Sequence, residues 1–139
     1  MKTIKRILAA ILIVTAFSSL LSCYSFAATT SLSSTSVSFY GYQTGHYYSA
    51  IYSDSYNHVG SECNNNYYPT KMIQAYCYKD GRLWNLSDID GSCGSGTINA
   101  ITAYQAIHSV SSDSYGKAKE NTWRDMAWYH YGTTIAQYL

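Results

Sequence analysis

The chain has 139 residues, with 9 Lys and Arg against 8 Asp and Glu and a formal net charge of +1. A balance this close to neutral argues against a nucleic-acid-binding surface, which needs clustered positive charge. Charged residues make up only 12% of the chain, which argues against a charge-swollen disordered protein, so we expect one small folded domain.

Residues 1–27 have the features of a secretory signal peptide. Three positive residues precede an apolar run over residues 7–17, which is too short to span a membrane. Ser25 and Ala27 are small residues at the positions that signal cleavage favours, so we expect cleavage after Ala27. The sequence therefore predicts a secreted protein, with no transmembrane span in the mature form.

Residues 20–23 offer a second processing site. They read Leu-Leu-Ser-Cys, which resembles a bacterial lipoprotein box, in which the cysteine is acylated after cleavage. The resemblance implies possible lipidation of Cys23 and a protein anchored by lipid at the cell surface. Secretion and lipid anchoring therefore remain alternatives, and the mass of the exported protein would distinguish them.

The first elements after the signal are predicted to be strands. Residues 28–36 are mostly Ala, Thr and Ser, so we expect a flexible lead-in, followed by a globular domain over residues 37–139. Residues 36–40 and 46–53 alternate small polar with apolar or aromatic side chains, the period of a half-buried strand. In the second of these strands, the predicted faces are Tyr48, Ala50 and Tyr52 on one side and Tyr47, Ser49 and Ile51 on the other.

A hairpin is predicted after a polar loop. Within residues 71–78, Ile73, Ala75 and Cys77 alternate with other residues and would form a small apolar face, which favours a strand. Asp80-Gly81 suits a tight turn, because Gly readily adopts a positive φ. Residues 83–86 would then form the return strand.

The last third of the domain is ambiguous. Residues 97–110 and 117–131 carry apolar residues at helical spacing and also alternate with period two. Four β-branched aliphatic residues in the first segment, together with the strands before it, favour strands. We therefore predict a single-domain, all-β fold, a small antiparallel β-sandwich, with α+β as the alternative if residues 97–131 are helical.

Three cysteines follow the signal. Cys63 and Cys93 lie in loop-like segments, whereas Cys77 lies in a predicted strand, so a Cys63–Cys93 disulfide is the favoured pairing in an exported protein. Three free thiols are the alternative. No Cys-x-x-Cys pair is present, so no zinc site is predicted.

Motifs for catalysis, metals and cofactors are weak or absent. No Gly-x-Ser-x-Gly elbow occurs, and a cysteine hydrolase with Cys93 as nucleophile and His108 as base is kept only as an alternative. Asp88 and Asp90 depart from the calcium-loop pattern and more simply shape a turn. No catalytic residue, metal or cofactor is therefore assigned, and the protein is expected not to be an enzyme.

The aromatic content is the strongest functional signal. The chain has 16 Tyr and 3 Trp, but residues 28–139 contain only fourteen Leu, Ile and Val, so some rings must supply the core. Exposed rings would give a face that stacks on sugars or contacts a protein. The candidate binding residues are Tyr47, Tyr52, Tyr67, Tyr68, Trp128 and Tyr129.

These features favour a secreted or cell-surface binding module. Its expected partner is a cell-wall glycan or a surface protein, not a nucleic acid. A small, exported, tyrosine-rich chain also resembles the secreted bacteriocins of Gram-positive bacteria, which implies an antagonistic role as the first alternative. A small secreted hydrolase is the second alternative.

Overall fold

The computed structural model describes residues 31–130 and 135–139. The predicted signal peptide, residues 1–27, and the candidate lipidation residue Cys23 lie outside the described residues. Within the described part, three α-helices pack with a three-stranded and a two-stranded antiparallel sheet. The predicted all-β sandwich is therefore wrong, and the fold is a mixture of helices and small sheets. The elements are β1 (Ser31–Leu32), β2 (Ser36–Gly41), β3 (His46–Ile51), β4 (Val59–Gly60), α1 (Tyr67–Lys79), α2 (Ser95–Ile107), β5 (Lys117–Ala118) and α3 (Glu120–Tyr129).

The three-stranded sheet contains the two strands that the sequence predicts first. Strands β1, β2 and β3 pair in chain order, each antiparallel to its neighbour. Burial alternates along β3, where Tyr48 and Ala50 are buried while Tyr47 and Ile51 are exposed. The two predicted faces of this strand are therefore confirmed, and the buried face packs on the core.

Strand β1 lies inside residues 28–36, the segment predicted to be a flexible lead-in. Ser31 pairs with Ser38, and Leu32 pairs with Val37. The Leu32 side chain also packs against the core. The sheet therefore extends back to Ser31.

Helix α1 replaces the strand predicted over residues 71–78. Every residue from Met72 to Cys77 is buried, so the helix is enclosed on nearly all sides. A fully buried helix has no polar face, and its sequence cannot be distinguished from a buried strand by periodicity alone. Pro69 lies in the first turn, where the missing N–H costs no helical hydrogen bond.

Asp80-Gly81 ends this helix and does not form the predicted hairpin. Gly81 has a φ of +73°, the left-handed conformation that terminates many helices. The Arg82 N–H donates to the Cys77 carbonyl at 2.7 Å, which satisfies one of the last helical carbonyls. Residues 83–86 form no strand, and Leu86–Asp88 is a short 3-10 turn.

Helices α2 and α3 occupy the segments for which strands were favoured. Ile101 and Tyr104 lie on the buried face of α2, and Trp123 and Met126 lie on the buried face of α3. These residues are spaced three apart, so the helical period was the correct one of the two patterns. Among the described residues of these two segments, the only strand is β5, Lys117–Ala118, which pairs with β4.

A buried glutamine organises the connection between α1 and α2. Gln74 is 1% exposed, and its Oε1 accepts the Gly91 N–H at 2.8 Å. Its Nε2 donates to the Ser92 carbonyl at 3.1 Å and to Thr97 Oγ1 at 3.1 Å. One side chain thereby fixes the loop and the first turn of the next helix.

The same arrangement recurs between α2 and α3. Gln105 is fully buried, and its Oε1 accepts the Gly116 N–H at 2.8 Å. Its Nε2 donates to the Ser114 carbonyl at 3.4 Å and to Thr122 Oγ1 at 2.9 Å. Both glycines have a positive φ, and in both units the threonine follows the glycine by six residues. The three helices thus form two overlapping copies of one helix–loop–helix unit.

The C-terminal residues hold the hairpin between β2 and β3. The Thr44 N–H donates to the Leu139 carbonyl at 2.8 Å, and the Tyr42 N–H donates to the Ala136 carbonyl at 3.0 Å. A Cβ at Gly41 would lie 2.7 Å from the Leu139 carbonyl carbon, so this approach requires glycine. The hairpin is thereby fixed against the end of the chain.

Candidate functional site

The predicted binding residues lie in three places. Trp128 and Tyr129 are in the last turn of α3, Tyr67 and Tyr68 are in the first turn of α1, and Tyr47 is on the outer face of β3. These five side chains are between 42% and 64% exposed. The structure therefore separates the predicted rings into distinct surfaces.

Tyr52, the sixth predicted binding residue, is not available for binding. It is 1% exposed, and its hydroxyl donates to the Ser33 carbonyl at 3.4 Å. Burial raises the pKa of this hydroxyl to about 12. Tyr52 continues the buried face of β3, which the alternation of that strand already indicates.

Trp128 borders a pocket between α2 and α3, which we call the Trp128 pocket. One wall is a stripe along α3, where Asn121, Arg124, Asp125 and Trp128 follow one another at intervals of three, one and three residues. That spacing places them on one helix face. The other wall is the segment that directly follows α2, residues 108–110. The pocket is an open depression with a volume of about 340 Å³.

The polar side chains of this wall are held in place by hydrogen bonds, and two of their oxygen atoms can still accept further hydrogen bonds. Asn121 Nδ2 donates to Asp113 Oδ1 at 3.1 Å, and Asp125 Oδ2 accepts the Tyr104 hydroxyl at 2.7 Å. Within the described residues, no hydrogen bond reaches Asn121 Oδ1 or Asp125 Oδ1. Both oxygens can therefore accept hydrogen bonds from a ligand.

Arg124 supplies the positive charge of the pocket. Its Nη2 donates to Glu120 Oε1 at 2.6 Å, and its Nε lies 3.4 Å from the Ser34 carbonyl. The side chain is 42% exposed. Because the guanidinium group has five N–H donors, these contacts orient it while leaving donors for a ligand.

Next to the pocket, the C-terminal ends of all three helices meet in a group that we call the helix-end cluster, defined as Asp80, Arg82, His108 and His130. His108 Nε2 lies 3.0 Å from Asp80 Oδ1, and His130 Nε2 lies 3.6 Å from the same oxygen. Arg82 Nε lies 3.1 Å from Asp80 Oδ2. A carboxylate at a helix C-terminus is unfavourable alone, and the Arg82 guanidinium offsets its charge.

Aromatic rings fix the orientation of His108. Tyr104 stacks on its imidazole with ring centroids 4.1 Å apart and an interplanar angle of 15°. Tyr129 meets the same ring edge-on, at 4.3 Å and 79°. The predicted binding residue Tyr129 therefore supports His108, which lines the pocket.

Burial governs the protonation of two groups in this region. It lowers the pKa of His130, an effect that the nearby Asp80 carboxylate opposes. It also raises the pKa of the Tyr104 hydroxyl, as does the hydrogen bond to Asp125. Tyr104 is therefore a permanent donor at neutral pH, and Asp125 is its acceptor.

Cys93 and His108, the two residues of the hydrolase alternative, have different neighbours in the structure. Burial raises the pKa of the Cys93 thiol, partly offset by a hydrogen bond from the Gly60 backbone. His108 instead contacts Asp80 and lines the Trp128 pocket. A protonated thiol is a poor nucleophile, and the hydrolase alternative stays a prediction.

All three described cysteines are free thiols in the structure. Cys77 is completely buried, whereas Cys63 and Cys93 are half-buried. Cys63 raises the pKa of Cys93 through its charge, which places the two in one neighbourhood. The predicted disulfide is not formed in the structure, and the pairing stays a prediction.

Asp88 and Asp90 shape their loop. Asp90 Oδ1 accepts the Ser92 N–H at 2.7 Å and Gln74 Nε2 at 2.9 Å, and these bonds lower the pKa of its carboxyl. Asp88 Oδ2 accepts the Asn85 N–H at 3.3 Å. In the described ranges, no group of three His, Cys, Asp or Glu side chains is arranged to hold a metal ion.

Sequence reasoning did not identify Asn121, Arg124 and Asp125. The signal was present, because these residues precede Trp128 at helical spacing in a segment whose pattern also allowed a helix. Choosing the strand period put Arg124 and Asp125 on opposite faces, which concealed the polar wall.

The helices of the described chain are short. No helix in residues 31–130 or 135–139 has the length and apolar character needed to cross a membrane.

Compared with known proteins, the chain matches no family model, no curated protein and no solved structure.

Proposed function

We propose that this protein is a non-catalytic binding module that contacts cell-wall glycan through the Trp128 pocket. The observation that carries the proposal is the exposed indole of Trp128 beside the side chains of Asn121, Arg124 and Asp125 on one helix face. A sugar presents an apolar ring face together with a rim of hydroxyl and amide groups. An aromatic ring next to fixed polar groups matches both.

The donors and acceptors of the pocket suit a neutral or N-acylated sugar. Asp125 Oδ1 and Asn121 Oδ1 can accept from hydroxyl or amide groups, and Arg124 can donate to a carbonyl oxygen. Their existing hydrogen bonds orient the side chains before a ligand arrives, which reduces the entropic cost of binding. The predicted export of the chain would bring this pocket to the cell wall.

Two titratable side chains that line the pocket, Asp125 and His108, are each engaged by a residue outside the lining, which supports a binding role. Asp125 accepts the Tyr104 hydroxyl, and His108 contacts the Asp80 carboxylate. Cys93 lies beside Gly60 and outside the lining of this pocket. The pocket therefore offers fixed donors and acceptors to a ligand.

Sedimentation with insoluble bacterial cell walls tests the proposal. The walls are first stripped of protein with protease and detergent, and the protein is then incubated with them at moderate salt. We expect the protein to pellet with the walls and to be released by soluble N-acetylglucosamine oligomers, without release of wall fragments. Failure to pellet would overturn the proposal, and retention only on untreated walls would identify a surface protein as the partner instead.

A further inference from the structure

A second ring-lined pocket lies between the start of α1 and the hairpin of β2 and β3. We call it the Tyr68 pocket, and it encloses about 230 Å³. It shares no lining residue with the Trp128 pocket. Its lining residues are Thr44, His46, Tyr48, Tyr67, Tyr68 and Lys71.

The rings of this pocket support one another. His46 stacks on Tyr68 with centroids 4.3 Å apart and an interplanar angle of 10°. Tyr48 is fully buried and meets both rings edge-on, at 5.3 Å from His46 and 5.7 Å from Tyr68. The buried ring therefore fixes the two exposed ones.

Tyr67 is also fixed, although it is 53% exposed. It meets Tyr68 edge-on with centroids 5.2 Å apart. On another side it lies against Gly91, where a Cβ would come within 2.4 Å of the Tyr67 ring. Rings that are exposed yet held rigidly lose little conformational entropy when they bind a ligand.

Lys71 gives the pocket a positive charge. Its Nζ lies 5.5 Å from the centre of the Tyr67 ring, and none of the lining residues is acidic. In the described part of the chain, no carboxylate lies within 4.0 Å of this nitrogen. The charge of Lys71 acts on Asp90, but that carboxylate is already hydrogen-bonded to Gln74 and the Ser92 N–H.

We propose that the Tyr68 pocket binds an anionic sugar, whose ring packs on the Tyr67 and Tyr68 rings while its carboxylate or phosphate pairs with Lys71. His46 stacks on one face of Tyr68 and Lys71 lies over one face of Tyr67, so the sugar would pack on the other faces. Aromatic ring faces match the apolar side of a pyranose, and tyrosine hydroxyls can bind its hydroxyl groups. An unpaired ammonium group beside them selects a negatively charged substituent. This site stands on different residues from the Trp128 pocket and does not depend on it.

Chemical-shift titrations of the purified protein, expressed as the full chain, test this site. The probes are glucuronate, glucose 6-phosphate and, as the neutral comparison, glucose. We expect both anionic sugars to shift the backbone resonances of residues 44–48 and 67–71, and glucose to bind at least about ten-fold more weakly. Binding of one anionic sugar alone would identify which substituent the pocket takes.

Variants at two lysines of the same helix test whether Lys71 supplies the positive charge that binds the anionic sugar. We expect Lys71→Gln to weaken binding of the anionic sugars by about ten-fold and Lys71→Arg to retain most of it. Lys79→Gln removes the same charge from the other end of α1 and should leave these titrations unchanged.

Three results would overturn this proposal. They are equal binding of glucose, an equal effect of Lys71→Gln and Lys79→Gln, and shifts that inorganic phosphate alone reproduces at the same concentration. Because resonances at residues 108–110 and 121–128 report on the Trp128 pocket separately, failure at one site is distinguishable from failure at the other.

Discussion

His108 Nε2 lies 3.0 Å from Asp80 Oδ1, although 28 residues separate them in the chain. Each residue ends a different helix, and His130, which ends the third, lies 3.6 Å from the same carboxylate oxygen. The three helix C-termini therefore converge on one largely buried carboxylate next to the Trp128 pocket. The shape of that pocket depends on this convergence, because His108 is part of its wall.

The buried histidine of this cluster should make stability depend on pH. Burial lowers the pKa of His130 below its ordinary value of 6.5, so the unfolded chain binds a proton more readily than the folded one. Its contribution to stability is therefore complete above pH 6.5 and is lost as the pH falls through the folded-state pKa. The charged or titratable groups that act on it are Asp80, His108, Lys79 and Asp125.

Urea unfolding between pH 8 and pH 5.5 measures this effect. We expect the free energy of unfolding to fall with pH in the wild type, and to fall less steeply in His130→Gln, which cannot be protonated. Equal slopes in wild type and His130→Gln would show that His130 does not control this dependence.

The two buried glutamines should contribute similarly to stability. Gln74→Met and Gln105→Met each leave a glycine N–H and other buried groups without a partner, so we expect each to lower the free energy of unfolding by about 2–4 kcal/mol. Gln43 is exposed and makes one side-chain hydrogen bond, to the Gln137 carbonyl. Gln43→Met should therefore change stability by less than about 0.5 kcal/mol. A large loss at only one of the buried positions would contradict an equivalent role in the two units.

Only part of the fold could be predicted from the sequence. Strands β2 and β3 were predicted because their faces differ in polarity, so alternation is visible along 46–51. Helix α1 was not, since its buried residues include every position from Met72 to Cys77 and leave no polar period. The repeated unit was also missed, because its two loops differ in length and only Gln, Gly and Thr recur.

Rings alone could not locate the candidate site. Composition indicated correctly that some tyrosines build the core, and Tyr48, Tyr76 and Tyr104 do so. Which rings stay exposed depends on how the helices pack, so Tyr52 was misassigned. The polar partners of Trp128 depend on helical phase, which the sequence left open between two periods.

Oxidation should join Cys63 and Cys93 and spare Cys77. Cys77 is fully buried, whereas the other two thiols are half-buried and close enough to influence each other. With oxidised glutathione, which is reduced to two thiols, we expect one intramolecular bridge that raises the free energy of unfolding by about 3–4 kcal/mol. Peptide mapping by mass spectrometry identifies the pair. A bridge that includes Cys77, or three thiols that remain free, would contradict this expectation.

Arg124 should matter for binding more than for stability. Its ion pair with Glu120 is exposed and spans one helical turn, so we expect Arg124→Ala to change the free energy of unfolding by less than about 0.5 kcal/mol. The same variant should weaken glycan binding by about ten-fold, because it removes the cation of the pocket. Glu120→Gln breaks the same pair but keeps the cation. If both variants weakened binding equally, the ion pair and not the guanidinium group would be responsible.

The most direct measurement compares two exposed tryptophans in binding isotherms on protein-free cell walls. Trp84 is 88% exposed and lies outside the Trp128 pocket, so Trp84→Ala removes the same ring chemistry from another surface. We expect Trp128→Ala to raise the dissociation constant by about thirty-fold, the effect of losing about 2 kcal/mol, and Trp84→Ala to leave it unchanged. Unchanged binding by Trp128→Ala, or an equal loss in both variants, would contradict a glycan site at Trp128.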